Sequence, residues 1–258
     1  MPRVAVEIAG PVARVWLDRA EARNAFDGAM VVELTTAISG LGTQAGLRAI
    51  VLGGRGPVFC AGADIEWMRS MAGATREANL REARALAGLF AAVAESPLPV
   101  VLRAHGAALG GGSGLAAACD IAIAAEGTVF GFTETRLGIV PAVISPFVLP
   151  KIGVSAAREL FLTGERFDAA KALAIGLVRA VVPAAELDAT VDARVGELLK
   201  AGPQAIAEAK RLIRDVAFRS AESVRELTIE LIANRRVTAE GQEGLSAFLE
   251  KRKPDWIA

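Results

Sequence analysis

The sequence predicts an α/β fold in which similar strand–loop–strand–helix units follow one another over residues 1–190, with a helical subdomain over residues 191–258. Apolar, strand-like runs recur at Ala49 to Leu52, Val100 to Arg103 and Ile121 to Ala124. Each leads through a loop to a short second strand, near Val58-Phe59, Ala107-Ala108 and Val129-Phe130, and then to helical sequence. Units of this kind bury a shared core when they stack. Toward the C-terminus apolar and charged residues instead alternate at helical spacing.

The elements follow in chain order. Val4 to Ile8 and Val12 to Leu17 are apolar at alternate positions around Gly10-Pro11, the pattern of a β-hairpin. Asp27 is placed to cap a helix carrying Met30, Leu34, Ala37 and Ile38 on one face, with Gly40 and Gly42 ending it. After the three strand units, helices are expected from near Ser155 and from near Asp168, the latter ended by Gly176. Leu177 to Val182 is the last strand-like run. Three amphipathic stretches close the chain, Pro203 to Asp215, Ser220 to Asn234 and Gly241 to Lys253. Such helices cover a neighbour, within the chain or in another subunit.

Composition narrows the function. Lys plus Arg equals Asp plus Glu at 29 each, without a basic arm, so nothing points to nucleic acid. Cys60, Cys119 and the single His105 show no metal-ligand spacing and are too few for a disulfide framework. They read as buried thiols and a structural histidine. No apolar run reaches the roughly 20 residues of a membrane helix, and Met1 to Gly10 lacks the pattern of a signal peptide. A cytoplasmic protein that binds no membrane is the expectation.

Two loops stand out. His105-Gly-Ala-Ala-Leu-Gly-Gly-Gly-Ser-Gly-Leu-Ala-Ala-Ala-Cys-Asp120 places a glycine cluster between a strand and an alanine-rich helix. Exposed N–H groups at such a helix start stabilise negative charge, although a tight turn without a ligand explains glycines equally well. Gly110 to Gly114 do not follow the dinucleotide spacing, and no Gly-Lys-Ser/Thr of a phosphate-binding loop follows. Ser113 is not set in the Gly-x-Ser-x-Gly pattern of a nucleophile elbow, since Leu115 stands two residues after it. Phe59-Cys-Ala-Gly-Ala-Asp-Ile65 is the second loop, with Asp64 placed as a helix cap. Trp67 and Met68 follow, suited either to a pocket wall or to the core.

From Asn24-Ala25-Phe26 to Phe248-Leu-Glu-Lys-Arg-Lys253 the chain resembles the crotonase, or enoyl-CoA hydratase/isomerase, superfamily. The landmarks are Cys60-Ala-Gly-Ala-Asp64, Ala108-Leu-Gly-Gly-Gly112, Cys119-Asp120 and Phe130-Gly-Phe-Thr-Glu-Thr-Arg-Leu-Gly138, in the family's order. The resemblance implies a crotonase-like ββα spiral core and C-terminal helices that build a homotrimer or a dimer of trimers. It implies an acyl-CoA thioester as substrate, with coenzyme A part of that substrate and no separate cofactor or metal. Ala63 and Gly111 match the positions whose N–H groups form the oxyanion hole, and Glu134 matches the catalytic carboxylate. Backbone donors suit a thioester oxygen that gains charge in the transition state, where one donor is worth about 3 kcal/mol. By position Arg23, Ala25, Ala61, Asp64, Ile65 and Gly110 would line the CoA and acyl path, and Phe248 and Lys251 would reach CoA across a subunit boundary. Glu21 and Glu66 stand where many relatives carry Lys, leaving Arg23 to pair with phosphate.

One departure bears on the reaction. Hydratases of the well-known type carry a second glutamate where this chain has Gly114, which leaves Glu134 as the single matched carboxylate and brings an enoyl-CoA isomerase into consideration. A finer resemblance, in Thr133 to Pro146 and Phe161 to Asp168, is to bacterial methylglutaconyl-CoA hydratases of leucine and terpenoid breakdown, which implies hydration of a 2-enoyl-CoA, branched or carboxylated. The alternatives are a one-glutamate isomerase and an acyl-CoA-binding protein without turnover.

Overall fold

The expected hairpin opens the chain. In this computed structural model, which describes residues 2–257, β1 (Val4–Ala9) and β2 (Val12–Leu17) pair antiparallel. Helix α1 (Gly28–Gly42) then returns the chain to β3 (Ala49–Gly54), which pairs parallel with β2. Asp27 caps α1 by accepting a hydrogen bond from the Met30 N–H at 2.8 Å, and Met30, Leu34, Ile38 and Leu41 are buried beneath it.

The repeated units are then laid down one after another. Helices α2 (Ile65–Met71) and α3 (Arg76–Glu95) lead to β4 (Val100–Ala104) and β5 (Ala107–Leu109), and α4 (Gly111–Ala118) leads to β6 (Ile121–Ala125) and β7 (Val129–Gly131). A short 3-10 turn at Glu134–Leu137 precedes α5 (Ser145–Thr163), β8 (Arg166–Asp168), α6 (Ala169–Ala174) and β9 (Ala180–Val182). Helices α7 (Leu187–Leu199), α8 (Pro203–Val216), α9 (Arg225–Arg236) and α10 (Ala239–Leu249) complete the chain. The main sheet has the order β1-β2-β3-β4-β6-β9, and the second strands of the units form a separate sheet, β5-β7-β8. The parallel run β2-β3-β4-β6-β9 beside the parallel pair β5-β7 is the α/β spiral expected from the repeat, with β1 and β8 added antiparallel at the edges.

Several details differ from the sequence reading. Val58-Phe59 is not a strand: that turn of the spiral contributes a single rung, Cys60 beside Ala108. Helix α5 starts at Ser145, well before Ser155, because Pro146 falls in the first turn where its missing N–H costs nothing. It bends at Gly153, whose φ is +71°. β8 was not visible in the sequence, since three residues carry too little periodicity. Leu177 and Val178 are buried ahead of β9 rather than within it. Ser220 to Val224 stay outside α9.

Alternation along the main sheet divides the core. Ile50, Leu52, Val100, Leu102, Ala122 and Ala124 face one side, toward α1, α3 and α4, whereas Ala49, Val51, Val101, Ile123 and Ala125 face the other. Leu187, Val191 and Val195 of α7 cover that second face. Residue 190, where the sequence suggests that the helical subdomain begins, thus lies within a helix packed on the sheet. Helices α8 and α9 bury no residue. Lys210 fastens α8 to the core, reaching Asp120 at 2.7 Å and the carbonyls of Val93 and Leu98 at 3.3 Å.

Cys60 and Cys119 are both buried, and desolvation pushes each thiol up to about 12. At pH 8 the folded protein is expected to leave both unmodified by a thiol-specific chromophoric disulfide, with two equivalents released once denaturant is added. Release of either from the folded protein would contradict this packing.

Candidate active site

The site is assembled where two successive loops leave the spiral at the same level. The Cys60 N–H donates to the Ala107 carbonyl at 2.9 Å, and the Leu109 N–H donates to the Cys60 carbonyl at 3.0 Å. This rung holds Cys60 beside Ala108, so Ala63 and Gly111 each lie three residues beyond paired positions. Phe26 joins the same cluster from the loop before α1. Its N–H donates to the Gly62 carbonyl at 2.7 Å, and its carbonyl accepts from the Asp64 N–H at 2.8 Å. These bonds flank Ala63 and leave its own N–H without a backbone acceptor among the described residues. Gly111 opens α4, where the N–H has no intrahelical acceptor. Both donors predicted by resemblance are therefore free to bind a ligand.

Close packing explains the glycines. A Cβ on Gly111 would lie 2.5 Å from the Phe26 ring, so only glycine admits that ring against the start of α4. Gly110 has φ of +51° and donates its N–H to the Gly131 carbonyl at 2.8 Å, turning the chain from β5 into α4. Ser113 pins the same corner. Its hydroxyl donates to the Ala108 carbonyl at 2.6 Å and accepts from the Gly131 N–H at 3.1 Å. Fully buried and doubly bonded, it is a brace between β5, β7 and α4. His105 bonds the Gly56 carbonyl at 2.8 Å and Arg103 at 3.0 Å, and burial holds its pKa below the ordinary histidine value. It too is structural.

Glu134 follows β7 at the start of the 3-10 turn, with Oε1 placed 3.6 Å from where a Cβ on Gly110 would be. Its Oε2 is buried and has no hydrogen-bond partner among the described residues. Burial raises the pKa above the usual carboxylate value. The carboxyl opens, with Gly111, onto a cavity of about 240 Å³. Trp67 and Met71 of α2, Asn79, Glu82 and Leu86 of α3, and the segment from Ile139 to Ile144 form the remaining walls. The lining is mostly apolar and contains no Lys, Arg or His. A larger cavity of about 370 Å³ between α8 and α9 contains none of the predicted site residues.

The other predicted residues divide into two groups. Arg23, Ala25, Ala61, Asp64 and Ile65 surround the Ala63 loop: the Arg23 carbonyl accepts the Ala61 N–H at 3.0 Å, Ala25 is buried, and Ile65 is exposed. Asp64 is the α2 cap, accepting from the N–H groups of Glu66 at 2.8 Å and Trp67 at 3.1 Å. Those backbone bonds, with the Arg19 guanidinium, hold its carboxyl below the usual range. Phe248 and Lys251 lie at the end of α10, exposed and away from the cavity of their own chain. Trp67 lines the cavity and Met68 does not.

Sequence reasoning missed three contributors. Phe26 enters the sequence pattern only as part of the Asn24-Ala25-Phe26 landmark. Arg19 bridges the caps of two helices, reaching Asp27 at 2.8 Å and Asp64 at 3.0 Å, and also donates to the Ala25 carbonyl at 3.2 Å. Glu82 stands with Asn79, Ala83 and Leu86 at helical spacing, a signal that shows a shared face but not what that face meets.

At Gly114 the structure shows why no second glutamate stands there. A Cβ would lie 2.4 Å from Ile144 Cγ2 and 2.9 Å from the Phe90 ring, in a buried position. The corner is filled by hydrocarbon.

Comparison with known proteins agrees with this architecture. Residues 7–258 match the sequence profile of the enoyl-CoA hydratase/isomerase family, and the chain belongs to that family. It is 36% identical over 262 residues to the mitochondrial enoyl-CoA hydratase domain-containing protein 2 of Bos taurus, covering 97% of this chain and 86% of that one. The crystal structure of an enoyl-CoA hydratase from Shewanella pealeana superposes with a TM-score of 0.95 at 39% identity, covering 98% of this chain and 96% of the other. Pseudomonas aeruginosa AtuE also gives 0.95, at 37% identity, covering 99% and 100%.

Two substitutions probe the site. Gly114→Glu places its first carbon inside Ile144 and Phe90, and overpacking of this kind costs about 1–3 kcal/mol. A lower urea midpoint is expected, and a midpoint equal to wild type would show that the corner yields. Glu134→Gln reads the buried charge. With burial raising the folded pKa above the usual carboxylate value, the unfolded chain loses its proton first as pH rises, so this group lowers stability above the usual carboxylate range and not below it. The variant should therefore have the higher urea midpoint at pH 7, with the difference disappearing toward pH 4. A variant less stable than wild type at neutral pH would refute the desolvated carboxyl.

Proposed function

We propose that the protein is an enoyl-CoA hydratase, adding water across the double bond of a 2-enoyl-CoA. The observation that carries this reading is Glu134, a buried carboxyl with an unpartnered oxygen, open to the same apolar cavity as the unpartnered Gly111 N–H. In this mechanism the Ala63 and Gly111 N–H groups bind the thioester oxygen. As a water O–H bond breaks, its proton passing to a base, and the C3–O bond forms, the π electrons move toward that oxygen, and the fixed donors stabilise the enolate more than the ground state. Protonated Glu134 then delivers a proton to C2. Its raised pKa serves this step, because an ordinary surface carboxyl would hold almost no proton near pH 7.

The apolar lining supports short or branched acyl chains. A terminal carboxylate, as in 3-methylglutaconyl-CoA, would meet no cation in this lining, so support for that finer reading rests on the likeness of Thr133 to Pro146. Gly114 with its filled corner favours a second reading, isomerisation by Glu134 alone. Exposed Ile229, Ile232 and Phe248 support the proposal that α9 and α10 meet other copies in a trimer or a dimer of trimers, where Phe248 and Lys251 would reach a neighbour's CoA.

Mass spectrometry after incubation with crotonyl-CoA, branched 2-enoyl-CoA esters, 3-methylglutaconyl-CoA and a 3-enoyl-CoA separates these readings. Hydration adds one water, and isomerisation changes the position of the double bond at constant mass. The expected result is a gain of the mass of one water, abolished in Glu134→Gln; no gain on any ester would overturn the hydratase.

A further inference from the structure

Adding water to a double bond moves two protons in one turnover, one leaving the water and one arriving at C2. Glu134 accounts for the second. In this chain the corner at Gly114 is closed by Ile144 and Phe90, so either Glu134 performs both transfers or a second group in the cavity takes the first proton. Glu82 is a carboxylate on α3 that lines the same cavity as Glu134 and Gly111, and it comes from a different element of the fold. It is half-buried, yet it forms neither a salt bridge nor a side-chain hydrogen bond among the described residues. Its Oε2 lies 3.7 Å from where a Cβ on Gly28 would be, and the Trp67 Nε1 lies 4.0 Å from the same point. That indole N–H also has no partner among the described residues. One helical turn before Glu82, Asn79 also lines the cavity; its amide nitrogen donates to the Ala74 carbonyl at 3.4 Å, and its side-chain oxygen has no hydrogen-bond partner among the described residues.

An unpaired acceptor, an unpaired donor and an amide oxygen thus gather in a wall that is otherwise hydrocarbon. Half-buried polar groups of this kind are solvated by something, and water is the smallest species that satisfies a carboxylate, an indole N–H and an amide oxygen together. We propose that Glu82 holds the attacking water and takes its proton, with Asn79 and Trp67 positioning that water. The inference rests on the hydratase reading above. In the step, a water O–H bond breaks and its proton passes to the Glu82 carboxylate, while a water lone pair forms the C3–O bond. The π pair of the enoyl group shifts to the thioester oxygen at Ala63 and Gly111. C2 then takes the proton of Glu134. Glu82 ends protonated and Glu134 ionised, and exchange with solvent restores both.

The test separates water activation from the chemistry at C2. A saturated acyl-CoA, butyryl-CoA, exchanges its C2 protons with deuterium oxide using only the thioester donors and Glu134, with no water added. In Glu82→Gln, hydration of crotonyl-CoA should lose roughly 100- to 10,000-fold in kcat, the range of one general base, with KM within a few fold of wild type. Deuterium exchange into butyryl-CoA should continue at close to the wild-type rate, and Glu82→Asp should recover part of the hydration. Glu134→Gln should lose both reactions. Wild-type hydration in Glu82→Gln would overturn the proposal. Equal loss of hydration and exchange would also overturn it, by showing a structural role. A wild-type protein that exchanges butyryl-CoA but hydrates no enoyl-CoA would instead remove the hydratase reading itself.

Discussion

The whole site depends on one backbone rung between successive turns of the spiral. Cys60 and Ala108 exchange hydrogen bonds of 2.9 and 3.0 Å through their neighbours, and this pairing sets the level at which both loops leave the structure. Three residues later on each loop a free N–H is presented, from Ala63 and from Gly111. A donor pair acts on a developing oxyanion only if its separation is fixed before the substrate arrives, since reorganisation during reaction would consume the electrostatic gain. Parallel pairing supplies that rigidity without any side chain, and Phe26 reinforces it by bonding around Ala63 while its ring packs against Gly111.

The surrounding structure serves the same corner. Ser113 ties β5, β7 and α4 together, so Glu134, which follows β7, is located relative to Gly111 by the hydrogen bonds that brace the donors. Arg19 links the Asp27 and Asp64 caps, joining the starts of α1 and α2 to the loop between them. These polar contacts sit at the edge of the core, where each has a defined partner. Glu134 Oε2 and the adjacent Thr135 hydroxyl are buried without a partner among the described residues. A buried carboxyl oxygen without a partner lowers stability, and a group of that kind at the mouth of a cavity is the usual mark of chemistry.

Much of this was legible in the residues. Apolar runs such as Ala49 to Leu52 and Val100 to Arg103 mark parallel strands buried on both faces, and their order gives the spiral. Asp27 and Asp64 were legible as caps because capping is local, needing only a short polar side chain before an apolar helix. The glycine cluster before α4 was visible too, although only the packing of Phe26, Phe90 and Ile144 distinguishes Gly111 and Gly114 from ordinary turn glycines. Helix α3 shows the limit. Its spacing groups Asn79, Glu82 and Leu86 on one face, but whether that face meets core, solvent or a cavity depends on α2 and on the segment from Ile139 to Ile144.

The sequence by itself determined the α/β class, the recurrence of buried strands along the chain, the helix caps at Asp27 and Asp64 and the family, because periodicity and short motifs act over a few neighbouring residues. Tertiary structure alone decided which N–H groups stay unpaired, how deeply Glu134 is buried, why Gly114 cannot carry a side chain and that Glu82 shares the cavity. Each of those is a relation between segments far apart in the chain, and distance, burial and hydrogen-bond partnership exist only after those segments have packed together.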